Sequence, residues 1–274
     1  MTNLKDNLKR WRDSAEIDWF SHFIKAWIPF NAWMTDTYGD LSDRELLDKV
    51  KAGSNVVYNR IVPILSPGLP HSKDSVVGWQ DDSSEAQEFR LKVEELHRLL
   101  QSCLIQGRRG QVSFEKVDLG YNPIKDQQIT FHGRVVRVRR DHPVSPQVTL
   151  EVSASKTQAA FSLTLESHRR NTLEDDLFFK SLKVEYRTKL LGLFESIAPR
   201  KMDTVLARHD VDDVLRFGNT KFVQNPDKVF SALVDIIYSL RNALFHGSIT
   251  PNTQHNEIYE PAYHIVMRLV RCTV

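Results

Sequence analysis

PDKVFSALVDIIYSLRNALFHG, residues 226–247, reads as one helix with a continuous apolar stripe. Val229, Phe230, Leu233, Ile236, Ile237, Leu240 and Leu244 recur at three- and four-residue spacing, as a buried helical face requires. Asn225 or Asp227 can cap its start, and Gly247 stands where a left-handed residue closes a helix. The closing turns hold Arg241, Asn242 and His246. These groups suit cleavage of a phosphodiester without a metal: a guanidinium for the phosphorane charge, an imidazole for proton transfer and an amide to hold either. At about 100° per residue, Asn242 and His246 share a face while Arg241 and His246 stand about 140° apart. A single helix therefore aims the arginine and the histidine at different points. Two copies about a twofold axis could line one cleft with both.

Helical periodicity continues through much of the chain. Trp19, Phe20, Phe23, Ile24, Trp27, Phe30, Trp33 and Met34 form a wide apolar face, and Pro29 is expected to kink or divide that helix. Asn31, on the same segment, is placed to hydrogen-bond toward the 226–247 helix. Ser42 with Glu45 predicts a helix start, with apolar positions running on to about 64. Further helices are expected over 84–105, 173–197, 203–217 and 257–270. From 111 to 166 the period changes to two, in segments at 112–114, 129–131, 135–139, 148–152 and 161–165 separated by turn-forming residues. The reading is a mostly α protein: a helical bundle built from 1–110 and 167–274, carrying a small antiparallel β insertion at 111–166.

Composition narrows the function classes. At 41% hydrophobic and 26% charged the chain is globular, and a net charge of +2 rules out wholesale attraction to nucleic acid. Any RNA affinity must come from a local patch. Arg137 and Arg139 alternate with Val136 and Val138 and so share a strand face, with Arg134 and Arg140 beside them. That face is a candidate RNA grip, and a charged, solvated edge strand is the other reading. The two cysteines, Cys103 and Cys272, have no disulfide-framework or metal-ligand spacing. No metal or cofactor is expected. Neither a signal peptide nor an apolar run of membrane-spanning length is evident, which predicts a soluble, cytoplasmic protein.

Three Arg–His pairs have four to six intervening residues: Arg90 with His97, Arg137 with His142, and Arg241 with His246. Spacing alone does not separate them, but context does. Arg90 is followed by apolar Leu91 in mid-helix, and Arg137 lies in a strand pattern before Pro143. Only Arg241 is followed by a polar amide, on a helix whose last turn holds the histidine. This segment resembles the Arg-x4-6-His motif of the HEPN superfamily, whose active members are RNases. The resemblance covers about 40 residues, 227–268, and extends weakly to the tryptophan-rich run at 26–33.

That resemblance implies a helical-bundle homodimer with a composite site, in which Arg241, Asn242 and His246 cleave RNA to a 2′,3′-cyclic phosphate. It implies a setting in bacterial toxin or anti-phage defence, with tRNA, rRNA or mRNA as substrate and an antitoxin or regulatory protein as partner. A non-catalytic dimeric module binding a protein, nucleotide or RNA remains the other reading. His209-Asp210, near Asp212 and Asp213, resembles the metal pair of HD phosphohydrolases, but the further ligands such a centre needs are missing at suitable spacing.

Overall fold

Nearly every long helix of this protein starts on a side chain that accepts a hydrogen bond from the first turn. Asp18, Ser42, Asn55, Ser83, Asn225 and Asn252 each satisfy a backbone N–H three residues on. Ser42 and Glu45 complete a reciprocal capping box. The computed structural model describes residues 17–66, 83–107, 110–141, 147–155, 158–208 and 211–273, without the side chains of 154, 155, 158 and 159. In chain order the elements are α1 (Trp19–Tyr38), α2 (Asp43–Lys51), α3 (Val56–Ile64) and α4 (Ser84–Ser102). Strands β1 (Gln106–Gly107), β2 (Gly110–Gln111), β3 (Val117–Tyr121), β4 (Asp126–Phe131), β5 (Arg134–Arg140), β6 (Val148–Ser155) and β7 (Gln158–Leu165) follow. Then come α5 (Arg170–Asp175), α6 (Leu177–Lys180), α7 (Val184–Ser196), β8 (Arg200–Asp203), β9 (Val214–Phe217), β10 (Thr220–Val223), α8 (Pro226–Phe245) and α9 (Thr253–Arg271).

The chain divides into two compact units, Met1–Leu119 with Asp203–Val274, and Gly120–Met202. In the first, α1 and α4 pack on α9, while α2 and α3 pack on α8. Phe23, Phe30, Met34, Leu47, Phe230 and Tyr259 are completely buried between them. The buried Tyr259 hydroxyl donates to the Leu240 carbonyl at 2.9 Å, so its one polar atom is satisfied inside the core. The second unit is a four-stranded antiparallel sheet in the order β4-β5-β6-β7. Its inner face buries Val136, Val138, Leu150, Val152 and Phe161 against Leu173, Phe179, Leu190 and Phe194 of α5, α6 and α7. Among the described residues, no helix is long and apolar enough to cross a membrane.

The expectation of a helical bundle with a small β insertion is wrong. The chain is mixed α and β, with four sheets among the described residues, one of them four-stranded. The helix expected over 203–217 does not form. Val214–Phe217 and Thr220–Val223 pair instead as an antiparallel hairpin, β9 with β10. The turn between them is Gly218-Asn219, with Gly218 at φ +55, the left-handed geometry that two-residue hairpins need. The helix expected to run to 64 breaks where Gly53 (φ +83) and Ser54 (φ +62) turn left-handed, and Asn55 recaps it. The helix expected over 173–197 is three pieces, divided where Asp176 and Lys183 take extended ψ angles. Pro29, by contrast, sits inside an undivided α1.

His97 shows how the first core fixes a protonation state. Its ring lies edge-on to Phe114 at 5.5 Å and Phe222 at 6.2 Å, and the residue is only 6% exposed. Burial holds its pKa below the ordinary 6.5 against a weaker pull from Glu115. Burial lowers His168 and His264 in the same direction. Folding therefore favours the neutral imidazoles, whereas the unfolded chain takes up protons at about 6.5. Stability is full above that pH and is lost as the pH falls below it toward the lowered folded values. Thermal unfolding should show a falling Tm between about pH 8 and about pH 5, with a smaller fall in His97→Leu. An equal fall in the variant would mean that His97 plays no part in it.

Candidate functional site at the end of α8

α8 opens with Asn225 accepting from the Lys228 N–H at 2.9 Å and with Pro226 in its first turn, where no donor is needed. It closes with two reversed hydrogen bonds: Gly247 N–H to the Leu244 carbonyl and Ser248 N–H to the Ala243 carbonyl. Gly247 at φ +64 permits this ending. The stripe from Val229 to Ala243 is buried, so the last turn is anchored from below while its outer side faces solvent.

Arg241 is held by groups from three helices. Its Nη1 donates to Asn242 Oδ1 at 2.9 Å and pairs with Asp43 Oδ2 at 3.2 Å. The guanidinium lies over the Phe245 ring at 4.4 Å and near the Trp27 ring at 6.0 Å. Its Nε is buried without a hydrogen-bond partner. His246 caps the helix, its backbone N–H bonded to the Asn242 carbonyl at 3.0 Å, and is exposed. Among the described residues, no hydrogen bond or ion pair engages its imidazole. The structure thus brings Arg241 and Asn242 into contact but joins His246 to neither side chain. The Asn31 side chain makes no hydrogen bond to this site among the described residues, its Oδ1 being buried without a partner.

Two turns back, α8 carries a buried carboxylate. Asp235 Oδ1 meets Arg44 Nη1 at 2.8 Å and Lys51 Nζ at 3.5 Å, and its Oδ2 accepts from the Asp118 N–H at 2.9 Å. Arg44 Nη2 also meets Asp118 Oδ2 at 3.3 Å and lies over the Tyr238 ring. Lys51 donates to the Asp118 carbonyl at 2.6 Å. Burial pushes the Lys51 ammonium below its usual pKa, against the opposing pull of Asp235 and then Asp118. This cluster fixes α2 against α8, and α2 is the element that brings Asp43 to Arg241.

Beside the motif, Phe20, Ser21, Ile24 and Lys25 of α1 and Leu244 and Phe245 of α8 line an open, mainly apolar groove of about 390 Å³. Phe245 is 57% exposed there, and Ile28, one turn beyond Ile24 on α1, is 60% exposed.

The four arginines of the β region do not form one face. Arg137 and Arg139 point outward, but Arg137 makes two hydrogen bonds to Asp126 and stands opposite Glu151, while Arg139 stands opposite Asp126. Arg140 is buried and donates to the carbonyls of Asn122 and Ile124. Arg134 is exposed at the β4–β5 turn, its guanidinium 5.9 Å from the Tyr186 ring. Residues 108–109, 142 and 209–210 lie outside the described residues, so Arg108, Arg109, His142 and the His209-Asp210 pair have no placement. Among the described residues, no cluster of His, Cys, Asp or Glu is arranged to hold a metal ion. Arg90 and His97 are both buried, Arg90 donating to the Ile64 carbonyl at 2.8 Å.

Sequence reasoning missed Asp43, Trp27 and Phe245 as partners of Arg241. Phe245 was within reach, one turn along the same helix. Asp43 was not, because nothing in local spacing links it to a residue so far along the chain.

No protein-family model, no curated protein and no solved structure matches the chain.

The two ion-pair groups should differ in their effect on stability. Asp235→Ala takes the shared carboxylate from the buried Lys51 and from Arg44 and the acceptor from the buried Asp118 N–H, and should cost about 3–5 kcal/mol in urea unfolding. Asp43→Ala breaks a half-exposed pair and should cost about 1 kcal/mol or less. Small, equal losses would show that the buried cluster does not hold α2 on α8.

Proposed function

We propose that this chain is a metal-independent endoribonuclease whose centre is the last turn of α8. The observation that carries the reading is the Arg241 head group, held at the edge of solvent five residues before an exposed histidine. Asp43 and Asn242 engage Nη1, and Nη2 has no hydrogen-bond partner among the described residues, which leaves a donor pair for a phosphoryl oxygen.

In this reading the ribose 2′-hydroxyl attacks the adjacent phosphorus and the 5′-oxygen leaves. His246 accepts the 2′ proton and returns one to the departing oxygen, while Arg241 offsets the charge of the phosphorane. Asn242 positions Arg241. The products are a 2′,3′-cyclic phosphate and a 5′-hydroxyl, and DNA, which lacks the 2′-hydroxyl, is inert. The divergence of Arg241 and His246 on one helix favours a homodimer in which each copy completes the other's site. The apolar groove between Phe20 and Phe245 is the surface available for that pairing. A role in toxin or anti-phage defence follows from the resemblance to HEPN RNases.

One observation favours a second reading, a non-catalytic dimeric module. The Asp43–Arg241 pair already neutralises the guanidinium, as a purely structural arginine would be.

Total RNA incubated with the purified chain in EDTA separates the two. The wild type should cleave, with His246→Ala slower by about 10²-fold or more and Arg241→Ala comparably impaired. Asp43→Asn should lower kcat more than it raises KM, because it frees the arginine without removing it. Full activity in His246→Ala would end the nuclease proposal. Inactivity of wild type and variants alike would favour the module.

A further inference from the structure

Charge is unevenly shared between the two units. Residues 120–202 contain 14 Lys and Arg against 9 Asp and Glu, while the rest of the chain contains 23 against 26. The basic excess of the whole protein therefore belongs to the sheet unit. On the open face of that sheet the cations are matched, since Arg137 and Arg139 face Asp126 and Glu151. Arg170 is likewise paired with Glu174 and Glu195.

The match fails at one end of the unit, where the β4–β5 turn meets the first turns of α7. Phe131 and Tyr186 meet edge-to-face at 5.5 Å, and the His132 ring lies 4.1 Å from Phe131. Arg134 stands over Tyr186 at 5.9 Å and Lys189 over Phe131 at 5.4 Å. Among the described residues, no carboxylate lies within ion-pair distance of either cation. Glu185 is the acid nearby, 3.8 Å from the His132 ring, with both side chains 64% exposed. Two cation–aromatic pairs sharing one ring contact is dense, because such pairs occur about once per 70–80 residues. The turn that builds the platform is tight: His132 (φ +49) and Gly133 (φ +69) are both left-handed, and Phe131 pairs directly with Arg134. It places a ring and a cation at adjacent corners.

We infer that this platform of Phe131, His132, Arg134, Tyr186 and Lys189 is a docking site for single-stranded nucleic acid. A single strand offers what the platform can take: bases with a π face for the rings, and a phosphate every nucleotide for the unpaired cations. The open sheet face offers no ring, and its two arginines share it with two carboxylates, Arg137 bound to Asp126 and opposite Glu151, and Arg139 opposite Asp126, with Thr130, Thr149 and Ser162 as neighbours. That the strand is RNA rests on the reading of α8 above, whereas binding itself does not.

The test uses the full chain carrying His246→Ala, so that the probe survives, and a fluorescein-labelled 12-nucleotide oligouridylate in EDTA. Anisotropy titrations would compare Arg134→Glu/Lys189→Glu with Arg137→Glu/Arg139→Glu. The first pair should weaken binding by about tenfold or more and reduce the slope of log Kd against log salt by about 1.4, as the loss of two phosphate contacts requires. The second pair should bind as the parent does. Circular dichroism of each variant checks that the sheet is intact, and Tyr186→Leu, which keeps an apolar side chain beneath the turn, should also weaken binding. The inference is overturned if the parent binds no oligonucleotide, if the first pair binds like the parent, or if the outer-face pair loses as much. Platform-dependent binding by a chain that never cleaves RNA would sink the nuclease reading and leave this one standing.

Discussion

Asp235 is a carboxylate on the buried face of α8, and burying such a group is costly unless cations and donors are at hand. Arg44, Lys51 and the Asp118 N–H supply them, each from a different point along the sequence. Their geometry allows one register of α2 against α8, because sliding α2 by a residue would withdraw both cations at once. Asp43 inherits that register. It reaches Arg241 because its neighbour Arg44 is already fixed. The arrangement at the solvent-facing end of α8 is thus set from inside the core, two turns away.

The same cluster explains why the site's outer parts can be polar without being loose. Arg241 has a carboxylate, an amide and two aromatic rings around it, yet each contact is modest alone. The rigidity comes from the elements that carry those groups, which the buried charges and the packed stripe of α8 hold in place. His246 differs in kind. It sits on the cap itself, where the reversed hydrogen bonds of Gly247 and Ser248 fix the backbone and leave the ring exposed.

The long helices were legible because their signals are local. The stripe of α8, the asparagine before Pro226, the left-handed glycine after it and the Ser42/Glu45 box all lie within a few residues of what they determine. The overall class was misjudged where local signals conflicted. The apolar residues between 203 and 217 were read at helical spacing, whereas Val214–Phe217 alternates and is followed by Gly-Asn, a hairpin signal that outranks it. The breaks at Gly53 and Asp176 failed for the opposite reason, since each falls between segments that are themselves helical. At the site, the backbone of the motif could be read, but its environment could not. A carboxylate 198 positions away from Arg241 leaves no trace in spacing. Four arginines close in sequence looked like one surface, although strand alternation sends Arg137 and Arg139 one way and Arg140 the other, and only the neighbouring strands reveal which are neutralised.

The sheet unit begins and ends at one place. Strand β3 leads into it and β8 leads out, the two are paired, and within the unit the Asn122 N–H donates to the Pro199 carbonyl at 3.0 Å. Entry and exit are therefore near neighbours, and a few residues could bridge them. In genealogical terms, 120–202 has the form of a cassette that a single insertion or deletion event could add to an ancestral gene or remove from it, without rerouting the helices on either side.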